Sequence, residues 1–433
     1  MNREIVLKSY LENAEILKKR NTENIEKFRK GEFTLAFSSC KPRKITVKQT
    51  KHAFLFGCNA FMLDSFEIPE KEPIYKEKFA KLFNQAVVPF YWSALEPIEG
   101  RLRFHKDSEK IYRRPTPDYV LDFCKEYDIE PKGHCLLWGI ALPEWLQKYS
   151  AEEKKKIVER RFKEIAEEYA DKIPSFDVIN ESASHYRSGM DVLFERYDEI
   201  ALQLGGKYFP NNKKIINETN EALWFAYPEH GKYMPFVAQL NDFLRRGLPI
   251  DEIGLQYHIF QREEYLCGNN LNFFLNAKYM LEILDIYNAY GLPMHISEIT
   301  VPSFWNSGET NEEIQAEIVA WLYETWFATE HMKSIVWWYL ADGYAAWAPQ
   351  NTGEGENYYA AGLLRYDLSE KPVYKTLDKL INHDWKTNFE TKTEKQEYSF
   401  RGFYGKYQIT VEDETGAKTV EVDFNENGKK ITL

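Results

Sequence analysis

The chain has 433 residues and a formal net charge of −11 at pH 7, enough length for one large domain plus an accessory part. The negative balance disfavours a nucleic-acid partner or an anionic membrane surface, whose phosphates would be repelled, and no apolar run approaches the roughly 18 residues of a membrane span. Aromatic residues make up 15% of the chain, most of them expected in the core, with any surplus suited to stacking on flat partners such as sugar rings.

The first 30 residues read as helical, and Met1 to Arg20 interleaves charge with Ile5, Leu7, Leu11 and Leu17, which predicts an amphipathic helix rather than a signal peptide. A native start at residue 1 implies a cytoplasmic protein; a removed leader implies a secreted one. Next, Phe33, Leu35 and Phe37 alternate, Lys41-Pro42 turns, and Ile45, Val47 and Gln49 alternate again, a pattern that predicts a β-hairpin. Residues 1–50 are therefore read as a helix plus hairpin.

From about residue 51 the rhythm changes to short apolar runs separated by amphipathic stretches. The runs are Phe54–Cys58, Ala86–Tyr91, Gly133–Trp138, Phe176–Ile179, Lys214–Asn217, Ile253–Tyr257, Met294–Ile299 and Ser334–Leu340. Eight strands with helices between them predict an α/β fold, a (β/α)₈ TIM barrel over residues 51–382. The charge-rich stretch Ala151–Tyr169 is one of its helices with a solvated face. Past Asn382, alternating apolar residues around Thr415-Gly416 and Asn427-Gly428 predict a C-terminal antiparallel β-module over 383–433. A lone three-stranded sheet buries little, so this segment is expected to pair with the N-terminal hairpin in one accessory module. Its aromatics Phe400, Phe403, Tyr404 and Tyr407 are close enough in sequence to form a packing cluster, which favours a brace over a sugar-binding attachment.

Cys40, Cys58, Cys124, Cys135 and Cys267 form no CxxC pair and no zinc spacing, so free thiols are expected. HExxH, P-loop and GxGxxG motifs are absent, and neither metal nor cofactor is expected.

Chemistry in a parallel barrel sits at the C-terminal strand ends. Asn180-Glu181 follows the fourth run and Glu298 closes the seventh; Gln256 and His258 end the sixth, and His134 and Trp138 lie on the third. A single Glu after a strand is ordinarily a surface or capping carboxylate, and a single His on a strand a satisfied core group. Two carboxyls on one rim with polar company are instead the equipment of glycoside hydrolysis, one protonating the leaving oxygen while the other attacks the anomeric carbon. The acid needs a raised pKa, supplied by burial and by its partner's charge. Asn180 is placed to hydrogen-bond the sugar, and His258 to orient Glu298.

These residues resemble glycoside hydrolase family 10, the endo-β-1,4-xylanases, over roughly residues 54–382. The matching segments run in order: Trp92–Pro97 with Gly100 and Phe104; Gly133-His134-Cys135-Leu136-Leu137-Trp138 with Pro143 and Trp145; Asp177-Val178-Ile179-Asn180-Glu181; Asn217-Glu218-Thr219-Asn220; Ile253–His258; Ile296-Ser297-Glu298; Trp338 with Asp342 and Trp347; and Lys371–Tyr374. The resemblance implies a retaining hydrolase acting on xylan or a related poly- or oligosaccharide, with Glu181 as acid/base and Glu298 as nucleophile. It implies supporting or substrate-binding roles for His134, Trp138, Asn180, Asn217, Gln256, His258, Trp338 and Trp347. The sequence departs from the family where a Glu-Asn pair and a Lys are usual; Val87, Val88 and Tyr91 stand there. Gly139, Ile140 and Ala141 replace His-x-Gln after Trp138. In the family these polar groups hold sugars on the non-reducing side of the cut, so the chemistry is expected to be kept and distal recognition rewritten, with an apolar patch at Val88, Tyr91 and Ile140. A same-mechanism glycosidase on another or decorated β-glycan, or a barrel that binds glycan without cutting it, are the alternatives.

Overall fold

The computed structural model describes residues 1–184, 192–266 and 274–433. The amphipathic N-terminus forms three helical segments, Arg3–Val6, Lys8–Glu12 and Ala14–Phe28. Their buried residues Val6, Leu7, Tyr10 and Leu17 join the main hydrophobic core, so this segment packs on the barrel. Strands β1 (Lys30–Ala36) and β2 (Arg43–His52) follow.

The eight apolar runs are the barrel strands β3 (Leu55–Asn59), β4 (Gln85–Pro89), β5 (Glu130–Trp138), β6 (Ser175–Asn180), β7 (Lys213–Glu218), β8 (Glu252–His258), β9 (Met294–Thr300) and β10 (Met332–Trp337). They close in the order β10-β3-β4-β5-β6-β7-β8-β9. Strands such as β3, β4, β6, β8 and β9 are buried at every residue, as expected of a parallel sheet covered by helices. One such helix, Ala151–Tyr169, matches its sequence expectation at both ends. Ser150 and Glu153 form a reciprocal capping box there, which satisfies two of the amide N–H groups a helix start leaves open.

Five strands follow the barrel: β11 (Asn388–Thr393), β12 (Glu397–Phe403), β13 (Gly405–Asp413), β14 (Gly416–Phe424) and β15 (Lys429–Thr432). The expected N-terminal hairpin is not formed. β1 lies between β12 and β15, whereas β2 lies between β11 and β13 in a second sheet. Six residues separate the strands, and Phe33 and Leu35 of β1 instead meet Ile45 and Val47 of β2 across a shared core with Phe400, Tyr407, Ile409 and Phe424. The C-terminal segment is likewise not purely antiparallel: β13 and β14 form the expected hairpin, but β15 leaves it to run parallel to β1. The accessory module is thus a pair of facing sheets built from both termini. Phe403 and Trp385 pack on Phe327 of the barrel, Trp385 stacking at 4.2 Å between ring centroids. Phe400 and Tyr407 lie in the module core and Tyr404 packs edge-on to Phe33.

Cys40, Cys58, Cys124 and Cys135 are free thiols; Cys267 lies outside the described residues. Among those residues no helix is long and apolar enough to cross a membrane.

Candidate active site

β6 ends at Asn180, and Glu181 follows with φ of 57°. A side chain other than glycine is rarely held in that left-handed region, and such strain persists only where the surroundings fix it. Here two donors fix the carboxyl: Trp138 Nε1 reaches Oε2 at 2.9 Å and Gln256 Nε2 reaches Oε1 at 3.0 Å. Glu181 is 4% exposed.

Glu298 on β9 pairs in register with Gln256 on β8 and is equally buried. Asn217 Nδ2 donates to its Oε1 at 2.9 Å, and His258 Nε2 lies 3.2 Å from its Oε2. The other ring nitrogen of His258 is 2.8 Å from Thr300 Oγ1, which sets the ring plane. His134 Nε2 stands 3.7 Å from Oε1, and its Nδ1 is 2.7 Å from Asp177 Oδ2. Lys132 pairs with the remaining oxygen of Asp177 at 3.0 Å. Against the upward push of burial, Lys132 and His134 hold Asp177 below the usual carboxylate range. For Glu298 burial wins and pushes its pKa up to about 7, with His134, Lys132 and the Asn217 hydrogen bond pulling the other way.

Asn217 is the hinge of this arrangement. Its amide nitrogen serves both Glu298 and Asn180 Oδ1 (2.8 Å), while its oxygen accepts from Ser297 Oγ. Asn180 Oδ1 also receives Gln256 Nε2 at 3.3 Å. Asn180 thus has its oxygen engaged by two amide donors. The crowding explains a glycine. A Cβ on Gly254 would stand 2.4 Å from Asn217 Oδ1, so only a bare backbone lets β8 pass.

Near Glu181, Glu218 ends β7 fully buried and accepts the amide N–H of Ala183 at 2.7 Å and of Thr219 at 2.8 Å. Burial raises its pKa to about 8, opposed by those two amides and reinforced by the charge of Glu181. Its bond to Ala183 holds the start of the segment after Glu181.

A cleft of about 340 Å³ opens over these groups. Glu181, Glu298, Gln256, His258, Trp138, Trp338 and Trp347 line it. His134, Asn180 and Asn217 are buried directly beneath, at 1%, 1% and 0% exposure. All ten residues singled out from the sequence therefore belong to one site. The expected apolar patch is not assembled. Val88 is buried in the main core, whereas Tyr91 packs with Val87, Phe61, Cys135 and Val336, and Ile140 is half exposed. Neighbouring strand residues point to opposite faces, so Val87 and Val88 separate. Missed from the sequence were the other walls of the cleft, among them Arg113, Arg114, Phe61, Phe260 and Glu356. They come from loops, where no periodicity signals position. Among the described residues no group of three or more His, Cys, Asp or Glu is placed to hold a metal ion.

The chain is 28% identical over 276 residues to endo-1,4-beta-xylanase B of Neocallimastix patriciarum, a match covering 62% of this chain but 29% of that protein. Endo-1,4-beta-xylanase 2 of Aureobasidium pullulans is 26% identical over 300 residues, covering 67% of this chain and 77% of the other. The fold is shared with native xylanase 10B from Thermotoga maritima, with a TM-score of 0.60, 22% identity, and coverage of 77% of this chain and 96% of that one. The sequence profile of glycosyl hydrolase family 10 matches residues 51–380. With that profile spanning the whole barrel and the two carboxyls placed at its rim, the chain belongs to glycosyl hydrolase family 10.

Proposed function

We propose that the protein is a retaining endo-β-1,4-xylanase-like hydrolase of xylan or xylo-oligosaccharides, with Glu298 as nucleophile and Glu181 as acid/base. The observation that carries the reading is the pair of buried carboxyls lining one cleft, each held by its own donors. A glycan-binding barrel without activity has no use for two such groups, whose burial costs free energy.

In the first step Glu298 Oε attacks the anomeric carbon while protonated Glu181 donates to the departing glycosidic oxygen. The C–O bond breaks, a glycosyl ester forms on Glu298, and Glu181 is left as carboxylate. In the second step Glu181 takes a proton from water, whose oxygen displaces Glu298, and the configuration is restored. Asn217 and His258 fix the trajectory of Glu298, and Trp138 and Gln256 that of Glu181. In this mechanism the NH₂ of Asn180 donates to the hydroxyl beside the reacting carbon.

The test is hydrolysis of xylan and xylo-oligosaccharides by wild type and Glu298→Ala, with products separated by size. Turnover by wild type into internal fragments, with none by the variant, is expected. Equal activity in both overturns the assignment of Glu298; no turnover of any xylo-oligosaccharide overturns xylan as substrate.

A further inference from the structure

Two adjacent arginines in the loop between β4 and the helix Pro117–Glu126 line the cleft, and the mechanism uses neither. Arg113 is 2% exposed, and its Nε is buried with no hydrogen-bond partner. Its backbone is left-handed, with φ of 56°. Arg114 lies over Tyr91, its guanidinium carbon 4.4 Å from the ring centroid, with Phe61 at 5.5 Å and Trp347 at 6.0 Å. Its side chain donates to the Arg113 carbonyl at 2.8 Å. Among the described residues no carboxylate comes within the 4.0 Å of an ion pair with either guanidinium. Glu356 lines the same cleft, and its charge is felt at Arg114, but it forms no such pair.

Two like charges side by side in a largely buried setting repel and forfeit hydration. Aromatic faces return part of that cost, yet the planar donor forks stay unsaturated. The chemistry that completes them is a planar anion with two acceptor oxygens, which a guanidinium receives through paired hydrogen bonds. We propose that Arg113 and Arg114 recognise an acidic sugar, a uronosyl unit of the glycan whose carboxylate enters the cleft on its Tyr91 side. The inference rests on the reading of this cleft as a glycan-cleaving site and names the decoration it selects.

Binding separates the two claims. In full-length Glu298→Gln, calorimetry compares xylotetraose with xylotetraose bearing a glucuronosyl branch, the methyl ester of that branched sugar, and a sulfated xylotetraose. The acidic oligosaccharide is expected to bind about tenfold or more tighter than xylotetraose, and the ester, which has lost the charge, no better than xylotetraose. Adding Arg114→Gln brings the ratio of acidic to neutral affinity near one, and Arg114→Lys retains part of it. Equal affinity for acid and ester, or a ratio unchanged by Arg114→Gln, overturns the proposal; tighter binding of the sulfated sugar overturns the carboxylate assignment. The ester comparison needs no arginine variant, so it decides even where Arg114→Gln does not fold. Turnover by wild type is read separately: its absence on every sugar removes the hydrolase reading while the preference for the acid still stands or falls.

Discussion

At the scale of single residues, burial raises the pKa of Glu298 and Glu218, whereas Lys132 and His134 hold Asp177 down. In the proposed mechanism Glu298 attacks only when ionised, and its pKa is pushed up to about 7. Catalysis by the free enzyme, read as kcat/KM against pH, is therefore expected to fall as pH drops below about 7. Removing the Asn217 hydrogen bond, one of the interactions that pull this pKa down, shifts that acid limb upward in Asn217→Ala. A limb unchanged in position would show that Asn217 does not set the ionisation of Glu298. The same shift makes a statement about stability. A carboxyl raised in the folded state from a usual value near 4.5 holds its proton longer than in the unfolded chain. The fold therefore loses stability as pH rises from about 4.5 to about 7, and no more above that. Glu298→Gln relieves that cost, by at most about 3 kcal/mol. A higher Tm than wild type at pH 8, with no difference near pH 4, is the expected result of thermal unfolding at the two pH values.

At the scale of elements, the strands deliver these residues and the sequence pattern made them legible. Runs such as Ile253–Tyr257 and Met294–Ile299 are buried along their whole length because helices cover the barrel outside and side chains fill it inside, so the polar residues they carry toward their C-terminal ends stand out. Glu181, Glu298, Gln256 and His258 were readable for that reason. Pairing was less legible. Alternation in Phe33–Phe37 and Ile45–Gln49 marks two strands but not their neighbours, and the short spacing suggested a hairpin where the strands enter different sheets. β11 went unread because Asn388–Thr393 carries one large apolar residue, Phe389. The loop arginines carry no period at all, and only the folded chain brings residue 61, residues 113 and 114, and residue 356 to one cleft. Close strand packing gives its own prediction. Gly254→Ala places a methyl 2.4 Å from Asn217 Oδ1, so Asn217 must move and Glu298 loses a donor. A fall in kcat of tenfold or more is expected, by about 1.4 kcal/mol or more of lost transition-state stabilisation; full activity would mean that Asn217 is dispensable.

At the scale of the whole molecule, the terminal sheets and the barrel are joined by aromatic stacking. Phe56 of β3, Phe327, Trp385 and Phe403 form one continuous contact. Trp385 is 5% exposed, and Trp385→Ala is expected to cost about 3–5 kcal/mol. If the module braces the barrel, denaturant unfolding monitored by fluorescence and by loss of activity shifts together in that variant; loss of structure with activity intact would separate the two parts. Trapping the covalent intermediate tests the role of Glu298. Incubation with a 2-fluoro-xylobioside carrying a good leaving group, followed by digestion and mass spectrometry, is predicted to place one xylobiosyl group on Glu298. A label on another residue, or turnover with no label formed, would contradict the account.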